Sequence, residues 1–317
     1  MSRTSKSPLT VARAAYFAGQ KALPRYAHKY SRRDFTCAQL FAVLVLRKFF
    51  KLDYRGTIAY LAEWSELREA LDFHDKLPNF TTPQKASATL LKDPLLRKLL
   101  TQTLEQAYNP HRKLGVDDDD MSYIMRIDRS AADSTGFESG HCSKYFTKRR
   151  KHAKNKEDPG ESHRGKVTYH RFPKLGVVVD CDRHLILAMH RSQGPRPDVD
   201  ELLPLMNEMD GRIWPEQMLL DAGYDSEANH ELLREVLNIE SIIPPNIGRP
   251  TKKLPNGKWR RVMATDFDDE SYGQRWQVET VMFMLKSRQG ESLTARSYQG
   301  RRREMGLMSL THNLMVA

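Results

Sequence analysis

Between Tyr272 and Lys286 the chain reads Tyr-Gly-Gln-Arg-Trp-Gln-Val-Glu-Thr-Val-Met-Phe-Met-Leu-Lys. A helix through this stretch, at roughly 100° per residue, gathers Tyr272, Arg275, Glu279 and Lys286 into a sector about 60° wide. Val278, Val281, Met282 and Leu285 form the neighbouring apolar stripe, at the spacing of a buried helix face. One carboxylate thus stands between two cations and a phenol, at the edge of a surface that faces a core. Two further carboxylates, Asp133 and Asp221, each close a short apolar run. Taken singly, an i,i+4 Arg–Glu pair or an Asp at the end of a strand is commonplace on a solvated face or in a turn. Together they make a set of three hard oxygen donors with no Cys or His cluster beside them, which suits Mg²⁺ or Mn²⁺. Two such ions about 4 Å apart would activate a water or hydroxyl and stabilise the leaving oxygen of an in-line phosphoryl displacement.

Positioning three distant carboxylates requires a sheet and a helix packed on it. Residues 123–133 read as a strand running into Asp133-Ser-Thr-Gly. Residues 174–180 and 184–190 read as a β-hairpin around Cys181-Asp-Arg183. Residues 217–221 form a short apolar strand ending on Asp221, and 239–243 another, stopped by Pro244-Pro245. Helices are expected over 198–209, where Pro204 is a weakness, over 226–236 and over 303–316. The order is that of a mixed α/β sheet with helices on its faces. In such sheets functional groups collect beyond the carboxyl ends of the strands. Asp133 and Asp221 would stand side by side if their strands are neighbours, with Glu279 approaching from the side.

Residues 1–120 read as helical, with helices over 35–50, 57–64, 65–71 and 94–107, and Thr82-Pro83 as an N-cap and first-turn pair. Arg13, Lys21, Arg25, Lys29, Arg32, Arg33, Arg47, Lys48, Lys51 and Arg55 make this part strongly basic, which suits a small DNA-binding module, although no definite helix-turn-helix is evident. Asp117–Asp120 is expected to be a solvated linker, since four adjacent carboxylates repel one another. A second basic stretch at 144–171 carries Lys148, Arg149, Arg150, Lys151, Lys154, Lys156, Arg164 and Lys166, interleaved with Tyr145, Phe146 and Tyr169. Its Pro159-Gly160 centre makes it a loop, and the mixture of cations and rings can grip phosphates and stack on bases.

The composition of the 317-residue chain agrees. Its formal charge is +11 and its pI about 9.5, which points to a polyanionic partner, nucleic acid first. Mean hydropathy is −0.64, and no apolar run approaches the ~18 residues of a membrane span. The N-terminal residues show no apolar core followed by a small-residue cleavage site, so no signal peptide is expected. Cys37, Cys142 and Cys181 are scattered and odd in number, which implies a reducing compartment and no disulfide framework or zinc site.

The motifs resemble those of bacterial insertion-sequence transposases of the DDE type, in the group spanning insertion-sequence families four and five. The signature Y-x2-R-x3-E-x6-K is matched without gaps by Tyr272, Arg275, Glu279 and Lys286. Asp133-Ser-Thr-Gly resembles the first acidic motif, and Leu220-Asp-Ala-Gly-Tyr-Asp-Ser226 the second. Gly194-Pro-Arg-Pro-Asp198 resembles the connecting segment between them. The resemblance spans about 123–317, and more loosely 79–89.

It implies a ribonuclease-H-like catalytic domain over 121–317, with the basic loop at 144–171, behind an all-helical N-terminal domain over 1–120 that binds DNA ends. It implies two Mg²⁺ or Mn²⁺ ions held by Asp133, Asp221 and Glu279. Tyr272, Arg275 and Lys286 would contact DNA near the cleaved end, and Arg149, Arg150 and Lys151 would add grip. The activity implied is cleavage at insertion-sequence ends and transfer of the 3′-hydroxyl into target DNA, by a homodimer assembled on double-stranded DNA in the bacterial cytoplasm. Only 57 residues separate Asp221 from Glu279, too few for the β-rich insertion of longer members. Two other readings use the same residues: an inactive DNA-binding relic, and a nuclease that hydrolyses without joining.

Overall fold

The structure, a computed structural model, describes residues 4–74, 76–108, 125–139, 171–209, 211, 213–246 and 253–317. Asp117–Asp120, Cys142, Arg149, Arg150, Lys151 and nearly all of the 144–171 stretch lie outside them. The amino-terminal part is helical: α1 (Pro8–Ala22), α2 (Cys37–Phe49), α3 (Tyr54–Glu63), α4 (Ser65–Ala70), α5 (Thr81–Leu90) and α6 (Asp93–Tyr108). Local signals set their starts. Ser7 caps α1 with Pro8 in its first turn, Asp53 caps α3, and Thr36 and Gln39 close a reciprocal capping box on α2. Thr82-Pro83 falls inside α5 rather than at its start, because Asn79 Oδ1 already accepts the Thr81 amide.

Strands β1 (Met125–Gly136), β3 (Phe172–Asp180), β4 (Ile186–Gly194), β5 (Ile213–Leu220) and β6 (Glu240–Ile242) form one sheet in the order β4-β3-β1-β5-β6. Strands β1, β3 and β4 are an antiparallel meander, whereas β5 pairs parallel with β1 and β6 parallel with β5. Two short strands, β2 (Glu138–Ser139) and β7 (Ser292–Leu293), pair separately. The expected mixed sheet with flanking helices is therefore present. Val177, Val178 and Val179 on consecutive positions of β3 are all fully buried, so both faces of the sheet are covered there.

The remaining helices are α7 (Leu202–Met206), α8 (Glu227–Glu231), which runs on into a π-helical turn (Leu232–Val236), α9 (Lys258–Thr265), α10 (Asp269–Tyr272), α11 (Trp276–Gln289) and α12 (Tyr298–Val316). The helix expected over 198–209 is shorter: a 3₁₀ turn at Asp198–Asp200, then α7, whose early Pro204 is tolerated because the first turn needs no amide donor. Helix α12 is buried continuously from Glu304 to Val316 and packs against α2, α5 and α6 as well as β3 and β4. One apolar cluster therefore runs from Val11 and Leu44, through Leu99 and Leu310, to Val178. Cys37 and Cys181 are buried free thiols. Among the described residues no helix is long and apolar enough to cross a membrane.

Candidate active site

The pairing of β1 with β5 decides where two of the carboxylates go. The parallel register runs Ala131↔Leu219 and Ala132↔Leu220, so the next residues in line are Asp133 and Asp221. They stand on neighbouring strands, Asp221 directly after the last residue of β5 and Asp133 three residues before the end of the central β1. Buried Ala131, Ala132, Leu219 and Leu220 immediately before them fix both backbones in the core.

The two carboxylates differ in environment. Asp133 is 25% exposed and accepts the Ser134 amide at 2.7 Å. Burial pushes its pKa up to about 6; the Ser134 amide and Arg275 oppose the rise, and the charges of Asp198 and Asp221 add to it. Asp221 is exposed. It caps the 3₁₀ turn Ala222–Tyr224, where its Oδ1 accepts the Ala222 amide at 2.6 Å.

Glu279 arrives from α11, whose Val278, Val281, Met282 and Leu285 are buried as the apolar stripe predicts. Burying three or four such side chains stabilises the helix on the sheet by about 1.5–3 kcal/mol each. The stretch from Tyr272 to Lys286 is not one uninterrupted α-helix, however. Asp268 caps α10 through the Ser271 amide, and the chain then tightens. Gln274 N donates to Ser271 O, Arg275 N to Tyr272 O, Gln277 N to Gln274 O and Val278 N to Arg275 O, all three residues back. At three residues per turn, side chains three apart fall on the same face, so the tightening brings Arg275 beside Tyr272, whose phenol pKa it lowers against burial.

Arg275 joins the constellation together. Its Nη2 lies 2.5 Å from Glu279 Oε1 and its Nη1 lies 3.9 Å from Asp133 Oδ2. Burial works against this guanidinium, but Tyr272, Glu279 and Asp221 outweigh it and hold its pKa up. Tyr272, edge-on to Phe267 at 5.1 Å, is raised chiefly by burial, against Arg275 and with the help of Asp221 and Glu279. Lys286 lies two helical turns beyond Glu279, with its ammonium 5.5 Å from the centre of the Phe137 ring, one residue past β1. The structure thus brings Asp133, Asp221, Tyr272, Arg275 and Glu279 together and sets Lys286 at one end of the group.

Among the described residues no three His, Cys, Asp or Glu side chains converge closely enough to hold one ion. The Arg275 guanidinium occupies the span between Asp133 and Glu279. The donors nonetheless fit a hard divalent cation. They are all carboxylate oxygens, and a cation, Arg275, already lies against two of them.

Asp198 is the residue that spacing alone did not single out. Its Oδ1 accepts from Ser134 Oγ at 2.6 Å and from Lys174 Nζ at 2.8 Å. A Cβ on Gly223 would sit 3.4 Å from its Oδ2. It therefore braces the residue after Asp133 and the turn after Asp221 at once. The available signal was a carboxylate directly following Pro195-Arg-Pro197, a stiff approach that fixes where the next side chain lands. Asp225, by contrast, turns away: its buried carboxylate is held by Arg260 at 2.8 and 2.6 Å.

The transposase DDE domain family matches residues 125–314. No curated protein sequence matches the chain. Among solved structures the chain is similar to that of the piggyBac transposase in a cryo-EM synaptic complex with hairpin DNA. The identity is 11%, the likeness covers 99% of this chain and 75% of that one, and the TM-score is 0.45.

Proposed function

Since the chain belongs to the transposase DDE domain family, we propose that it is a metal-dependent DNA transposase that cuts at the ends of an insertion sequence and joins the freed 3′-hydroxyl to target DNA. The observation that carries this is the side-by-side placement of Asp133 and Asp221 on adjacent parallel strands, with Glu279 linked to Asp133 through Arg275. The central position of β1, between an antiparallel meander and two parallel strands, supports a ribonuclease-H-like core.

Asp133, Asp221 and Glu279 are the residues that would hold two Mg²⁺ or Mn²⁺ ions. The bound ions would supply an activated water or hydroxyl and charge stabilisation at the leaving oxygen. Asp133 is held in place from behind by its own strand and by the Ser134–Asp198–Lys174 chain, so its carboxylate is pre-aimed. Glu279, 57% exposed and engaged by Arg275, is the adjustable member of the set. With ions held by the carboxylates, Arg275 would no longer be needed as their counter-charge, and its planar fork would suit a DNA phosphate. Tyr272 beside it and Lys286 beyond it line the same approach. Arg149, Arg150 and Lys151 would add phosphate contacts, and residues 1–120 would hold the DNA end, with two copies of the chain pairing two ends.

The deciding experiment incubates the purified protein and Mg²⁺ with a duplex carrying the DNA end that flanks its own gene, beside Glu279→Ala. The expected result is cleavage plus joined product in the wild type, lowered at least about 10²-fold in the variant, with DNA binding retained. Cleavage without any joined product assigns a nuclease instead, and binding without cleavage assigns an inactive relic. Equal cleavage by Glu279→Ala would remove α11 from the site.

A further inference from the structure

A cavity of about 550 Å³ opens between the amino-terminal helices and α12, apart from the carboxylate cleft. Arg47 of α2, Tyr54 of α3, Gln84 and Ser87 of α5, and Arg296 and Arg303 around the start of α12 line it. Its one lining carboxylate among the described residues, Glu304, is already satisfied: Lys48 Nζ at 2.7 Å, Thr294 Oγ1 at 3.0 Å and the Ala295 amide at 2.8 Å all donate to it. Lys48 and Glu304 cancel, which leaves three guanidinium groups facing the cavity with no carboxylate paired to them among the described residues.

None of the three has its donors filled. Arg47 stacks over the Tyr54 ring at 4.3 Å, reaches Thr294 Oγ1 only at 3.4 Å, and has a buried Nε with no acceptor. Arg303 spends its Nε on the Gln299 carbonyl in its own helix turn, at 3.2 Å. Arg296 is exposed. The first turn of α12, capped by Ser297, adds the positive end of a nineteen-residue helix. Guanidinium forks matched by no carboxylate, with an orphaned buried N–H among them, are a phosphate-shaped deficit.

The cavity is also connected to the site. Thr294 follows β7, β7 pairs with β2, and β2 follows Phe137, over which Lys286 lies. Lys51, four residues past Arg47, donates to the Ser287 carbonyl next to Lys286 at 3.0 Å. A line of cations thus leads from the carboxylates along the end of α11 to the cavity.

We propose that this cavity seats a backbone phosphate of the DNA duplex whose neighbouring segment lies on the carboxylates, so that the amino-terminal helices and α12 grip the DNA jointly. The proposal rests on the transposase reading and adds to it the groups that hold the duplex away from the cleavage point. The volume exceeds that of a single phosphate ion and admits the sugar attached to it.

The test is equilibrium binding of a short mixed-sequence duplex across a salt series, for wild type, Arg296→Gln, Arg303→Gln and the double variant. Each lost phosphate contact lowers the slope of log K against log salt by about 0.9. Both side chains act on the one seated phosphate, so the double variant is expected to lose about 0.9 from the slope and to bind roughly ten-fold more weakly near 0.1 M salt, uniformly over sequences. Its melting temperature should stay that of the wild type, because neither side chain is core. Arg126→Gln, at the opposite end of β1 and 79% exposed, controls for the loss of charge and should keep the wild-type slope. A double variant that binds with the wild-type slope overturns the proposal and leaves the transposase reading standing. Wild-type protein that binds no duplex at any salt overturns both. Inorganic phosphate is the second probe: if it raises the wild-type melting temperature while the double variant keeps its DNA slope, the cavity is a small-anion site and the proposal fails.

Discussion

A carboxyl group buried on a central strand is costly to ionise, and the charges of Asp198 and Asp221 add to the cost. Asp133 has a native pKa of about 6 against an ordinary 3.8, so the folded chain holds that proton more tightly than the unfolded chain does. Stability therefore falls as pH rises from about 4 to about 6, and the full penalty applies above that range. Asp133→Asn removes the penalty. It is expected to melt higher than the wild type above pH 7, by on the order of 1–3 kcal/mol, with no advantage below pH 4 and no catalytic activity. Calorimetry across pH checks it, and a pH-independent difference would show that Asp133 ionises freely. At this scale Asp133, Asp221 and Glu279 were legible because their residue types, strand ends and helical spacing coincide. Asp198 was not, because its part depends on Ser134 and Lys174, which come from two other strands and carry no spacing relation to it.

Elements aim the side chains, and their ends matter more than their middles. Helix α11 stops at Gly290, whose φ of +99° and ψ of +150° lie in a region that residues with a Cβ rarely occupy. Nothing lies within 4 Å of a Cβ placed there, so Gly290→Ala tests backbone strain alone. The expected cost is about 1–3 kcal/mol, read from the midpoint of urea unfolding; an unchanged midpoint would mean the helix end relaxes at no cost. The apolar stripe of α11 was plain in the sequence, as were the β3–β4 hairpin and the strand that ends at Asp221. The tight turn at 273–275 was not, since helix propensity does not distinguish bonds to the third residue back from bonds to the fourth. Only the Asp268 cap and the placing of Gly273 hint at it. The π-helical turn at Leu232–Val236 has no such hint, and nothing in its packing explains it.

On the scale of the whole molecule, the amino-terminal helices and the sheet share one core, with α12 threaded between them. The buried Lys48–Glu304 pair, 7% and 6% exposed, sits at that seam. Lys48→Met would strand a buried carboxylate, and although Thr294 and Ala295 still serve it, a loss of about 3 kcal/mol is expected. Adding Glu304→Gln should recover part of the loss, and a double variant no more stable than the single would show that the pair is not coupled. Trp64 reports on the helices and Trp214 on the sheet, so single-tryptophan variants can show whether both halves melt together. The charge and helical content of the first hundred residues were readable in advance; the shared core was not, because apolar helix faces do not name their partners.

The β1–β5 pairing has one more consequence, for the order in which the chain matures. Asp133 and Asp221 meet only after the hairpin and the Asp198 turn between them have been looped out, and Glu279 joins from farther along still. Contacts so distant in sequence bear the loop-closure entropy before they return any stabilisation. During refolding, the helices and the β3–β4 hairpin can form locally, while the carboxylate group waits on long-range parallel pairing. A nascent chain would thus complete its amino-terminal helices before its carboxylates meet.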